Sequence, residues 1–169
     1  MRLSLANKDD LTSIMRIIED AQKILAHENI DQWQNGYPSQ NIIENDIKNN
    51  ECFVVKSIKN MILATAMFSL RKEPTYKKIE GKWLNSDESS YGVVHRMAIS
   101  KLQLRKGVAK FILNSCEEIL REKNIKSMRI DTHEKNFPMQ NLLKKLNYNY
   151  CGVIYLEDNS KRLAYEKRI

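Results

Sequence analysis

Cysteine, proline and glycine are all scarce, at three, three and five of 169 residues. Cys52, Cys116 and Cys151 form no CxxC pair and are an odd number set among apolar neighbours, which excludes a disulfide or zinc framework and predicts reduced core thiols. With so little Gly and Pro there is no linker, and with no internal repeat or low-complexity tract the simplest account is one domain over residues 1–169. Long apolar runs are missing too. The longest, Met61 to Leu70, is broken by Thr65 and Ser69, far short of the roughly 20 residues that cross a bilayer. The N-terminus passes from Leu5-Ala6-Asn7 straight into Lys8, Asp9 and Asp10 and holds no secretory apolar segment, so a cytoplasmic location is expected. RRM, KH, zinc-finger and aromatic-stacking signatures are absent as well, which makes nucleic acid the weaker reading of a net charge of +7. What remains is a basic globular chain suited to an anionic partner such as a phosphorylated cofactor.

Periodicity supplies the elements. Arg2 to Ala6 suits a short strand, and Asn7 with Asp10 three residues later resembles a helix start. Leu11, Ile14, Met15, Ile18, Ala21 and Leu25 then recur at helical spacing along one face. From His27 to Pro38 the chain loses periodicity and carries Trp33, Gly36 and Tyr37, before a second helix from Ser39 to Asn49 that buries Ile42, Ile43 and Ile47. Cys52 to Ile58 and Met61 to Arg71 are strands joined by a turn at Lys59-Asn60. A polar insert, Lys72 to Ser90, follows, longer than a simple connection needs. Gly92 to Ile99 (strand), Gly107 to Lys123 (helix) and Ser127 to Asp131 (strand) make a βαβ unit. The chain closes with a helix from Pro138 to Leu146 and strands at Tyr148 to Leu156 and Arg162 to Lys167. Antiparallel strands around one parallel unit predict an α+β fold with a mixed, mostly antiparallel sheet of about six to seven strands and about four helices.

The stretch Leu104-Arg105-Lys106-Gly107-Val108-Ala109-Lys110 lies between a strand and a helix start. Unpaired backbone N–H groups and the positive end of the helix dipole favour an anion there. Gly107 allows close approach, while Arg105, Lys106 and Lys110 add charge, so a pyrophosphate would fit. Neither GxxxxGK[ST] nor GxGxxG is present, which disfavours ATP and NAD. The order of a strand (His95-Arg96-Met97-Ala98-Ile99), this loop, an amphipathic helix, a strand, Asn136, and a short helix ending in Asn147-Tyr148 resembles the GNAT superfamily of acetyl-CoA dependent N-acetyltransferases.

That resemblance implies a GNAT-like fold and acetyl-CoA as cosubstrate, with no metal. Met97, Ala98 and Ile99 would offer backbone hydrogen bonds to pantetheine and the acetyl carbonyl. Leu104, Arg105, Lys106, Gly107, Val108, Ala109 and Lys110 would hold pyrophosphate, and Asn136 would add a polar contact. Leu104 stands where the family has Gln or Arg, and Asn147 stands for its Gly. Leu143 falls where many members carry a Tyr that protonates the leaving thiolate, so that acid is missing.

Acetyl transfer to an amine needs a proton acceptor and a polarised carbonyl. His95 is the candidate base, because an imidazole with an intrinsic pKa of about 6.5 removes protons at neutral pH and because two-residue alternation puts it on a strand face with Val93, Met97 and Ile99. A hydrogen-bonded core histidine is the bland alternative. Cys151 is a sharper but weaker candidate nucleophile against the commoner buried thiol. Trp33, Tyr37 and Tyr76, with Trp83, are candidate walls for a cationic amine, although Trp33 could equally plug the gap between the first two helices. Acetyl-CoA and a primary amine of a small molecule or peptide are thus the expected partners. A second copy of this chain in a homodimer is compatible with them. Two other classes compete: a catalytically silent acyl-CoA-binding regulatory domain, and a basic nucleic-acid-binding module.

Overall fold

Asn7 and Asp10 cap each other reciprocally. The Asn7 side chain accepts from the backbone N–H groups of Asp9 and Asp10, and the Asp10 carboxylate accepts from the Asn7 N–H at 3.1 Å. This box opens a 3-10 turn that runs into the first helix, as the spacing of the two residues predicts. The computed structural model describes residues 1–86 and 88–169; residue 87 of the polar insert lies outside them. The elements are β1 (Arg2–Leu5), α1 (Leu11–His27), α2 (Gln40–Lys48), β2 (Cys52–Lys56), β3 (Ile62–Ser69), β4 (Glu80–Gly81), β5 (Gly92–Ile99), α3 (Val108–Glu122), β6 (Ser127–Thr132), α4 (Phe137–Lys145), β7 (Asn149–Tyr155) and β8 (Lys161–Arg168).

The chain forms two compact units, Met1–Phe68 with His95–Ser115, and Ser69–Val94 with Cys116–Ile169. In the first unit the strand order is β1-β2-β3-β5, with β1/β2 and β2/β3 antiparallel. Its core gathers Ile14, Ile17 and Ile18 of α1, Ile43 of α2, Cys52 and Val54 of β2 and Ala98 of β5. Leu11, Met15, Ala21 and Trp33 pack against that core. Ile17, three residues after Ile14 and next to Ile18, widens the apolar face expected of α1.

In the second unit the order is β5-β6-β8-β7-β4. β5 and β6 are parallel at Gly92↔Met128 and Val93↔Arg129, as the βαβ order requires, while β6/β8 and β7/β8 are antiparallel. Tyr76, Trp83, Tyr91, Val93, Cys151, Ile154 and Ala164 form this unit's core. The fold is therefore the expected mixed α+β one with four helices, and its eight strands exceed the sequence-based count by one. The additional strand is β4, two residues long, paired at Gly81↔Gly152. A Cβ on either glycine would stand 2.1 Å from a carbonyl oxygen of the facing strand, so this pairing needs glycine on both sides. Two residues carry no period, which is why the insert reads as loop.

Among the described residues no helix is long and apolar enough to cross a membrane, and no group of His, Cys, Asp and Glu is arranged to hold a metal ion. All three cysteines are free and buried, as expected.

Candidate functional site

The strand β5 does not keep its alternation. Arg96 has φ 51°, a left-handed conformation inside a strand, and this breaks the pleat on which the shared face of His95 with Met97 and Ile99 was inferred. Met97 and Ile99 are half-buried, and Ala98 is in the first unit's core. Beyond Ile99 the Ser100 N–H donates to Leu63 O at 2.9 Å, tying the end of β5 to β3.

A 3-10 turn, Lys101–Gln103, follows and delivers the basic loop to α3. Leu104, Arg105, Lys106, Gly107 and Lys110 are exposed, Ala109 is half-buried, and Val108 is buried beneath them. The Gly107 carbonyl accepts the first helical bond, from Phe111 N–H at 3.0 Å, so the N–H groups just after it have no carbonyl behind them within the helix. Arg105 at φ 61° and Gly107 at φ 79° are left-handed, the backbone turn that makes anion-holding concavities. A Cβ at Gly107 would meet nothing within 4 Å, so the space before the helix end is open. Lys106 folds back, its Nζ donating to Leu102 O at 2.8 Å, while the Arg105 and Lys110 side chains stay exposed beside the opening. A loop of this chemistry favours an anion.

The aromatic candidates separate. Trp33 is half-buried, left-handed at φ 64°, and packed against the core of α1 and α2, the plug foreseen as its alternative role. Tyr37 is 41% exposed, and its hydroxyl accepts from Arg96 Nη1 at 3.1 Å. Its carbonyl accepts from Gln22 Nε2 at 2.7 Å, which anchors the loop to α1. Tyr76 is not a surface wall. It lies in the second unit's core, 1% exposed, tilted against Trp83 and stacked on Tyr91, with its hydroxyl donating to Asp131 at 2.8 Å. Burial and the Asp131 charge push its phenol well above the usual range. Trp83 is in the same core. A polar sequence around these rings hides their burial, because a 3-10 turn and the coil after β4 leave no period to read.

His95 is half-buried at the break in β5. Asn136 caps α4, accepting from Met139 N–H at 3.2 Å, and Pro138 sits in the first turn as expected. His133 is a loop residue whose Nδ1 accepts from Lys135 N–H at 3.0 Å. Leu143 is fully buried on α4. Of the tyrosines that follow it, Tyr148 is buried and donates its hydroxyl to Glu117 at 3.0 Å, and burial pushes that phenol far up.

Two residues escaped sequence reasoning as partners. Asp46 and Arg96 form a two-pronged ion pair, Nε and Nη2 each 2.8 Å from a carboxylate oxygen, with side chains only 7% and 14% exposed. Burial holds the Asp46 carboxyl above its ordinary value, although the Arg96 hydrogen bonds and charge oppose the rise. A signal existed: Asp46 lies three residues after Ile43 on the apolar face of α2, where an acid needs a buried partner.

A family model for GNAT acetyltransferases matches residues 18–148. Among solved structures, the chain is similar to a GNAT-family acetyltransferase from Streptococcus agalactiae 2603, with 36% identity, TM-score 0.88, and coverage of 99% of this chain and 95% of that one. A ribosomal-protein-alanine N-acetyltransferase from Brucella melitensis shares the fold at 14% identity and TM-score 0.70, each chain being covered in full, at 100%. The fold recurs in a NatC complex bound to Gag peptide and CoA, at 11% identity, TM-score 0.71, and 99% and 98% coverage. Among curated proteins none matches the chain. With a family model spanning most of its length and a relative of that family alike from end to end, the chain belongs to the GNAT family of acetyltransferases.

Proposed function

We propose that the protein transfers an acetyl group from acetyl-CoA to a primary amine of a small molecule or peptide by direct attack of the amine on the thioester, and that residues 1–169 act as one catalytic domain. The observation that carries this reading is the open, left-handed, basic loop from Arg105 to Lys110 at the start of α3. It offers N–H groups and positive charge to a pyrophosphate, and family membership supplies the cosubstrate that has one. Acetyl-CoA brings an activated acyl group on a weakly basic thiol.

The chain's own residues then have distinct tasks. Backbone groups of Met97, Ala98 and Ile99, past the break at Arg96, orient and polarise the acetyl carbonyl. Arg105, Lys106 and Lys110, with the N–H groups of Gly107, Val108 and Ala109, hold the pyrophosphate, and Asn136 serves as a polar contact beside its capping role. Tyr37 flanks the acceptor. His95 takes the proton of the attacking amine, directly or through one water. Leu143 leaves no acid at the family's tyrosine position, so the thiolate is protonated by solvent. A model thiol pKa of about 8.5 makes that feasible.

The burial of Leu143 also favours a second reading, a domain that binds acyl-CoA without turning it over. Turnover separates the two. Purified protein with acetyl-CoA and a panel of primary amines, from polyamines to peptides with free N-termini, should release free thiol in proportion to acetylated amine. Tight acetyl-CoA binding with no thiol release from any amine would replace the first reading by the second.

A further inference from the structure

Ten non-glycine residues among those described have left-handed backbones; seven are asparagines, the residue type that tolerates this best. Arg96 is neither an asparagine nor in a turn: it is the one of the ten that lies inside a strand. An arginine gains nothing locally from φ 51°, so the conformation persists only where the surroundings impose it. Those surroundings are visible. The fork of Asp46, on α2, takes Nε and Nη2 at 2.8 Å each, and the Tyr37 hydroxyl takes Nη1 at 3.1 Å. Asp46 is itself fixed, since Ile43 one turn before it is 2% exposed in the core that also contains Ala98. Both ends of the fork therefore rest on one packed core, with the break in β5 between them.

We propose that Asp46 is a positioning residue. Its carboxylate clamps the Arg96 guanidinium and so holds β5 in the left-handed break that aims the backbone groups of Met97, Ala98 and Ile99. The inference rests on the reading that those three residues bind acetyl-CoA. Asp46 touches no substrate atom and acts through Arg96. The loss of carboxylate charge weakens the clamp, β5 relaxes toward regular extended backbone, and the donors turn away from the acetyl group.

A double-mutant comparison tests this with full-length protein. Asp46→Asn should weaken acetyl-CoA binding about tenfold by calorimetry, since preorganised donors displaced by a fraction of an ångström lose most of their effect. The double variant Asp46→Asn with Arg96→Gly should bind within about twofold of wild type, because glycine adopts φ 51° with no clamp. A role confined to stability predicts no such rescue, since the double variant removes both partners. Hydrogen exchange provides a readout without acetyl-CoA: amides of residues 97–100 should exchange faster in Asp46→Asn and return toward wild-type rates in the double variant. Wild-type affinity and exchange in Asp46→Asn overturns the proposal, as does an equal loss in the double variant. If wild-type protein fails to bind acetyl-CoA, the functional reading falls, and the clamp is judged on exchange alone.

Discussion

Arg129 and Glu166 form an ion pair at 3.3 Å with both side chains sealed from solvent, and the arginine's guanidinium carbon lies over the rings of Trp83 and Tyr91, 4.3 and 4.1 Å from their centroids. Glu166 also accepts from the backbone N–H of Leu84 and of Asn85 and from the Ser127 hydroxyl, while Arg129 donates to Asn85 O. A polar insert is thus pinned to β6 and β8 by a buried charge pair. Glu166→Ala removes the buried acceptor shared by Arg129, the Leu84 and Asn85 N–H groups and the Ser127 hydroxyl, and the expected cost is about 3–5 kcal/mol of stability. Urea unfolding measures it. A loss below about 1 kcal/mol would mean that the other contacts of Arg129, the two rings among them, keep it in place.

Gly107 separates backbone from charge effects. Alanine there meets no atom within 4 Å but must adopt φ 79°, so Gly107→Ala should keep most acetyl-CoA affinity at a modest cost in stability. Gly107→Glu adds the same strain and also fills the opening with negative charge, and should weaken acetyl-CoA binding by more than about tenfold beyond the alanine variant. Calorimetry on both variants decides. Equal affinities would move the pyrophosphate elsewhere.

The proposed role of His95 as base is tested by a pH profile. A base works only unprotonated, so kcat/KM should rise with pH along an acidic limb in wild type. His95→Gln should remove that limb and lower kcat/KM about 10²- to 10⁴-fold, with melting and acetyl-CoA affinity unchanged. A variant that retains both rate and limb would return His95 to a packing role and leave proton removal to water.

Thiol chemistry should be silent in the folded state. Burial pushes Cys52 up to about 11 and Cys116 up to about 12, and burial with the nearby Glu166 charge raises Cys151. At pH 8 all three stay protonated, so a disulfide reagent should react slowly with native protein and fully, at three thiols per chain, once urea unfolds it. Cys151→Ser should leave acetyl transfer at the wild-type rate. A fast-reacting native thiol or a dead serine variant would revive Cys151 as a nucleophile.

How much of this was legible before folding follows a physical rule. Residues 11–25 and 108–120 announce their helices because a face buried against one core must repeat every 3.6 residues. Asn7 with Asp10, Asn136 before Pro138, and Gly107 between cations are equally local, since a cap or anion loop is built from neighbours within a few residues. These sufficed for the βαβ unit and the family. Tertiary packing decided the rest, because each remaining feature joins residues far apart in sequence. Tyr76 became core by reaching Asp131, 55 residues away, and β4 exists only where Gly81 can approach Gly152. Arg96 looks like any strand residue in the sequence. Its left-handed backbone depends on a carboxylate 50 positions earlier, and no local pattern encodes a constraint imposed from another element's face.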